Sequence, residues 1–403
     1  MRFYQLQPEE RRRILRAEGV QLEDIDDQVL KRLDELSENV IGQLRLPLGV
    51  VQNLLVNGQK YVVPMATEEP SVVAAANHGA SIFTKNGGVK AVSHRDGIYG
   101  QIVLKVDEQF SLADLEEKFP ELIDLANQKF TSLVGHGGGT RSISAKQNGS
   151  LVYLKVLVDS AEAMGANKTN SIMEFLSAKL EQFDHVEEKF FAILSNYPSQ
   201  LTKAEVRIDP ITIGGEKVAQ RIVLLSQIGY DDPYRAVTNN KGIMNGVDAV
   251  LIATGNDYRA IENATAVLAN RDGQYRSLSK WTMKDDKLVG ELILPMAIGV
   301  VGGSIKARRD VQQSFSILGK NITSQSLGEI ITSIGLANNL AALLAISTVG
   351  IQAGHMKLQA RNVVAELDAT EEEKKTILNK MIEEKNYSES HAKGILEKLR
   401  EEK

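Results

Sequence analysis

The stretch Ile330 to Gly354, IITSIGLANNLAALLAISTVGIQAG, carries no charged residue and leaves the chain two ways to fold around it. An apolar segment of this length either spans a bilayer or forms a helix that the rest of the protein covers on all sides. Asn338, Asn339 and Gln352 lie inside it and Gly335 and Gly350 interrupt it, so it reads as a buried helix, and no membrane partner is expected. Covering such a helix takes a large core, and 43% hydrophobic residues in a chain of 403 can supply two or three domains.

The N-terminal MRFYQLQPEERRRILRAEG has charge where an export signal needs its apolar centre. The chain has no cysteine, which excludes disulfides, thiolate zinc sites and a thiol nucleophile and fits a cytoplasmic protein. A net charge of −5 provides no basic excess for nucleic acid, so an anionic ligand must be met by a local group of cations. None of the six histidines recurs at a metal-ligand spacing, and no metal is expected.

Residues 8–38 read as helices, opened by Pro8 at a first-turn position. LPLGVVQNLLVNGQKYVVPMAT places two apolar runs around Asn57-Gly58, a hairpin signal. EEPSVVAAANHGASIF then turns helical, with Pro70 expected inside the first turn. Near residue 93 the texture becomes a mixture of strands and short helices that lasts to 196, which predicts a compact inserted α/β unit. Residues 204–226 read as strand-like alternation, and 350–403 as a charged helical tail hinged at Gly350 and Gly354.

One run points to chemistry. In NKGIMNGVDAVLIATGNDYR, Asn240 to Arg259, every charge except Asp248 lies at an end, and each end has a Gly beside an amide. Charged groups at the ends of a buried element commonly line a cleft; solvated ends of a core element are the plain alternative. The sixteen steps from Lys241 to Asp257 would span about 24 Å as helix and roughly 50 Å as strand. Contact therefore needs either a reversal at Gly242, Gly246 or Gly255, or a second copy of the chain.

This run occurs together with ENVIG (38–42), MATEEPSVVAAA (65–76), EAMGAN (162–167) and GIQAGHM (350–356), in that order along almost the whole chain. The set resembles hydroxymethylglutaryl-CoA reductase of the bacterial soluble class, class II. The resemblance implies an α/β (α+β) fold: a large substrate domain from 1–92 and 197–349, an inserted small non-Rossmann dinucleotide-binding domain at 93–196, and a C-terminal helical flap at 350–403. The absence of G-x-G-x-x-G agrees with a non-Rossmann site.

By the same resemblance the catalytic residues are Glu69, Lys241, Asp257 and His355. Lys241 would stabilise oxyanions, Glu69 would donate a proton with Asp257 beside it, and His355 would protonate the departing CoA thiolate. Glu162, Met164, Gly165 and Asn167 fall at cofactor positions, with Glu162 where Asp is commoner in the family. Arg235, Ser71 and Asn245 fall at substrate positions. Arg11, in the cluster Arg11 to Arg13, is a candidate for CoA phosphates, with a solvated helix face as the alternative. The implied ligands are HMG-CoA and NADPH, with NADH as the alternative nucleotide. The implied assembly is a homodimer with active sites at its interface, higher assembly being left open. Two rival functions remain at this point: oxidative breakdown of mevalonate by the same kind of enzyme, and a non-catalytic acyl-CoA-binding protein.

Overall fold

The computed structural model describes residues 2–348, 360–361 and 363–401. Residues 1–48 form one compact unit and 49–403 another. The first contains the helices Pro8–Ala17 and Asp27–Asp34, the latter capped by the Asp26 carboxylate on the amides of Gln28 and Val29.

The second unit contains the strands β1 (Leu48–Val56), β2 (Gln59–Ala66), β3 (Lys90–Ser93), β4 (Ile98–Val106), β5 (Gly139–Asn148), β6 (Leu151–Asp159), β7 (Val186–Ser195), β8 (Leu201–Ile208), β9 (Ser279–Lys284) and β10 (Lys287–Pro295). β1 and β2 pair as the expected hairpin. Asn57 and Gly58 at its tip have φ of 49° and 82°, the left-handed pair that a tight hairpin turn requires. A second sheet runs β3-β8-β10-β9 and a third β5-β6-β4-β7, both antiparallel.

Two separate cores follow. One is built from residues 51–91 and 204–344, around the second sheet, and includes the single tryptophan, Trp281, whose ring lies against Gly290. The other is built from residues 102–180, on one face of the third sheet. A third, small cluster joins Ala360, Val364 and Leu367 to Ile377 and Met381 of the helix Glu371–Glu383 and to Ala392, Ile395 and Leu396 of the helix Glu389–Glu401.

From Ile330 to Ser347 the apolar run lies in the helix Ser324–Ser347, and 78% of the most apolar part of that helix is buried inside the protein; residues 349–354 lie outside the described residues. It packs against the helices Val72–Lys85 and Pro233–Ala253. The approach to the first is backbone-close: a Cβ on Gly79 would lie 2.2 Å from the Ala337 carbonyl oxygen.

Three local expectations are corrected. Pro70 stands outside its helix, because Ser71, at φ 76°, breaks the helical backbone and acts as N-cap of Val72–Lys85. The strand-like reading of 204–226 holds only through Ile208. Beyond it, buried Ala219, Ile222, Ser226 and Gly229 recur every three or four residues, the helical period, in the helix Glu216–Asp231. Lys241 is not at the end of an element: one helix, Pro233–Ala253, runs unbroken through Gly242 and Gly246, and the chain reverses only at Gly255, with φ 67°.

Candidate active site

Pro233–Ala253 begins where the Asp232 carboxylate accepts from the Tyr234 amide, with Pro233 in the first turn. Thr238, Lys241 and Asn245, spaced by three and four residues, share one face of it and line a cavity of about 410 Å³. Glu69 and Ser71, between β2 and the following helix, line the opposite side. Across the mouth the Lys241 ammonium donates to Glu69 Oε2 at 2.6 Å, with the two side chains 60% and 39% exposed. Arg235 lines the same cavity, and burial lowers its pKa from the usual guanidinium value. It remains a cation, because guanidinium loses its proton only far above neutral pH.

The floor is a chain of buried amides. Trp281 Nε1 donates to Asn339 Oδ1 (2.8 Å), Asn339 Nδ2 to Asn239 Oδ1 (2.9 Å), and Asn239 Nδ2 to the hydroxyls of Ser277 (2.6 Å) and Ser279 (3.1 Å). With every donor satisfied, this network fixes the helices beneath the cavity without the cost of an orphaned polar group. Val72, Ala75, Ala341, Ala345 and Ile346 form an apolar wall. The cavity thus offers a cation paired with a carboxylate, a second cation for an anionic substrate, and an apolar side for an acyl or thioester chain.

A second constellation surrounds residues 162–167. Gly165, at φ 96°, is the N-cap of the helix Ala166–Leu180, whose first amides receive no side-chain cap. A Cβ there would meet Ser160 at 2.5 Å. The loop lies on the segment 298–301: the Val300 amide donates to the Glu162 carbonyl at 2.9 Å, and Ala163 bridges Val301. Glu162 Oε2 accepts from the Ser324 amide at 2.6 Å, tying the loop to the start of Ser324–Ser347. Asp257 N-caps the helix Tyr258–Ala269, its Oδ1 accepting from the amides of Arg259 (3.1 Å) and Ala260 (3.2 Å). It lines a smaller cavity of about 120 Å³ with Met164 and Ala166.

A family model described as hydroxymethylglutaryl-coenzyme A reductase matches residues 7–360. The chain belongs to the hydroxymethylglutaryl-coenzyme A reductase family. It is 36% identical over 412 residues to the 3-hydroxy-3-methylglutaryl-coenzyme A reductase of Archaeoglobus fulgidus, covering 99% of this chain and 94% of that one. The solved reductase from Streptococcus pneumoniae matches with a TM-score of 0.77 at 39% identity, over 98% of this chain and 99% of that one. A class II reductase of the same organism, solved bound to NADPH in open conformations, matches with a TM-score of 0.75 at 40% identity, over 97% and 99%.

Of the residues that the resemblance to this reductase family singled out, Glu69, Ser71, Arg235, Lys241 and Asn245 gather at the larger cavity. Met164 and Asp257 meet at the smaller one, with Gly165 at the adjoining helix start. Asn167, in the first turn, is exposed. Asp257 is not brought to Lys241 within the chain: about 18 Å of helix separates Lys241 from Ala253 before the turn, and the Asp257 carboxylate pairs with Arg259 instead. His355 lies outside the described residues, as do the Gly350 and Gly354 hinges.

Arg11 is 3% exposed, pairs with Asp34 and donates to the carbonyls of Phe3, Tyr4 and Val40, so most of its guanidinium donors are taken up within residues 1–48. The sequence reading assigned no site role to Asn239, Asn339 and Asn256; the signals were that amides flank the charges of the 240–259 run and that Asn339 stands inside an uncharged apolar stretch. Asp248 is the one charge inside that run. Burial, and the Glu262 carboxylate beside it, push its pKa up to about 8.

Proposed function

We propose that the Lys241–Glu69 pair is the reducing centre of a dimeric, cytoplasmic, NADPH-dependent enzyme that converts HMG-CoA to mevalonate and free CoA. The family activity requires two hydrides: the first turns the thioester into a hemithioacetal, loss of CoA thiolate leaves mevaldehyde, and the second gives the alcohol. Each hydride addition consumes one proton. When bound, NADPH supplies the hydride. The protein supplies the rest.

The Lys241 ammonium provides the positive charge on which each new oxyanion forms, and Glu69, 2.6 Å away, is placed to pass a proton to it. Arg235 holds the substrate carboxylate, with Ser71 and Asn245 as hydrogen-bonding neighbours. His355 protonates the departing thiolate, carried there by a flap at 350–403 whose described part has its own small core. Residues 93–196 form the inserted nucleotide domain, a reading supported by the separate core of 102–180. The uncapped amides after Gly165 suit a pyrophosphate, because a helix N-terminus presents free N–H groups and a positive dipole end.

The shared-site dimer rests on two facts. Lys241 and Asp257 line different cavities of one chain. The lysine-bearing helix also leaves Tyr234 88% and Val237 54% exposed, apolar surface suited to a second copy. Asp257 of one subunit then completes the Lys241–Glu69 pair of the other.

The observation that carries the proposal is the ion pair at the mouth of a cavity that also holds Arg235. It is tested by incubating the purified protein with HMG-CoA and NADPH. Two equivalents of NADPH should be consumed for each CoA and mevalonate released. CoA binding without NADPH consumption would leave only a binding protein.

A further inference from the structure

We propose that Asn256 is a positioning residue that fixes the Asp257 carboxylate against the 162–167 loop and so sets how the nicotinamide nucleotide is held. The proposal rests on the reading of that loop as the nucleotide site.

Asn256 is 5% exposed and pairs with a single backbone residue in both directions. Its Oδ1 accepts from the Gly299 amide at 2.8 Å, and its Nδ2 donates to the Gly299 carbonyl at 3.1 Å, as a neighbouring strand would. Nδ2 also donates to Thr254 Oγ1 at 3.1 Å, and the Asn256 amide to the Leu251 carbonyl at 2.9 Å, so neither side chain nor backbone is free to swing. Gly299 in turn abuts the nucleotide loop: a Cβ there would lie 2.2 Å from the Met164 nitrogen. The next residue, Val300, donates to Glu162.

An unbroken set of contacts thus runs from Asp257, through the adjoining Asn256, to Gly299 and the loop. Its links are a peptide bond, the two side-chain-to-backbone hydrogen bonds of Asn256 with Gly299, the tight approach of Gly299 to Met164 and the Val300-to-Glu162 backbone bond. A primary amide offers a donor and an acceptor at this spacing at every pH, whereas a carboxyl of the same shape does so only when protonated. An ionised aspartate would set an oxygen against the Gly299 carbonyl. The segment 296–301 has a second anchor: Arg95 donates to the carbonyls of Ile298 (3.1 Å) and Met296 (3.4 Å), and also to that of Ala161 (3.3 Å). Loss of Asn256 therefore frees the register of the loop while the segment stays attached.

The test is steady-state kinetics of Asn256→Ala and Asn256→Asp in the full-length enzyme. A misplacement of about 1 Å costs on the order of a hundredfold in rate. Asn256→Ala should therefore lower kcat by about ten- to a hundredfold and raise the KM for NADPH about tenfold, leaving the KM for HMG-CoA within about twofold. Asn256→Asp should behave like the alanine variant at high pH. As pH falls and the buried carboxyl takes up its proton, the acid regains a donor. The ratio of its kcat/KM for NADPH to that of the wild type should then climb.

A wild-type KM for NADPH in folded Asn256→Ala, or equal rises in both KM values, overturns the proposal. Should that variant fail to fold, a pH-independent ratio for Asn256→Asp overturns it. Asp257→Asn is assayed beside them. Wild-type turnover there would reject Asp257 as a member of the site, a different result, and the NADPH KM of the Asn256 variants would still decide the nucleotide-positioning role.

Discussion

Lys241→Ala separates what the Lys241–Glu69 pair does for rate from what it does for stability. The side chains are 60% and 39% exposed, so water and salt screen the 2.6 Å contact. Pairs of this kind contribute about 0–1 kcal/mol to folding. Truncating the lysine leaves Glu69 still reached by solvent, so no charge is stranded in the interior. The midpoint of thermal unfolding should therefore move by less than about 4 °C. The rate should respond on another scale. Removing one pre-positioned stabiliser of an oxyanion costs roughly a hundred- to a thousandfold, about 2.7–4 kcal/mol of barrier. NADPH oxidation at saturating HMG-CoA, and separately at saturating mevaldehyde, should fall by that factor in both cases, because each half-reaction builds an oxyanion. Thermal denaturation of the same preparations supplies the control. A folded variant turning over near the wild-type rate would refute the assignment, and so would a rate loss matched by a collapse in unfolding temperature.

Mixing subunits tests the shared site: Lys241→Ala and Asp257→Asn, each inactive alone, should regain NADPH oxidation when co-expressed, since a mixed dimer carries one intact site; no recovery would place both groups in one chain. His355→Gln should depress HMG-CoA reduction far more than mevaldehyde reduction, as only the first releases a thiolate; equal losses would remove its link to CoA release. Asp248 holds its proton in the folded state up to about pH 8, against an ordinary carboxylate range near 4. Its favourable contribution is fully present below that ordinary range and is lost as pH rises through about 8. Asp248→Asn should therefore flatten the fall of unfolding temperature between about pH 4 and 8, and an unchanged slope would show that this carboxyl titrates normally.

Much of this architecture was legible where chemistry is local. An uncharged apolar run broken by amides and an Asn-Gly pair between strands carry their own causes: the hairpin turn falls at Asn57-Gly58, and the described part of the run lies in the helix Ser324–Ser347. Lys241 was read as an end residue because the apolar stretch seemed to begin there. The Asp232-Pro233 start signal lay nine and eight residues upstream, and the helix obeys it. Long-range partnerships left no trace. Nothing in three consecutive arginines says that Arg11 will be enclosed by Asp34 and the Val40 carbonyl. Nothing in Asn239 names Asn339, one hundred residues away, as its partner. Buried amides of this kind have no periodicity to betray them, because each is defined by a contact and not by a face.

The helix Ser324–Ser347 acts as a ruler. Its first amide is held by Glu162 of the nucleotide loop, and Asn339, about 22 Å further along, forms part of the cavity floor beneath Lys241. Both ends of the measurement must come out right at once. A substitution on its surface disturbs one neighbour, but a single inserted or deleted residue would turn everything beyond it by about 100° and shift it by about 1.5 Å. Asn339 would then leave Trp281 and Asn239, and the spacing between loop and cavity would change in the same stroke. Divergence in this chain is therefore free to alter the composition of the helix far more readily than its length.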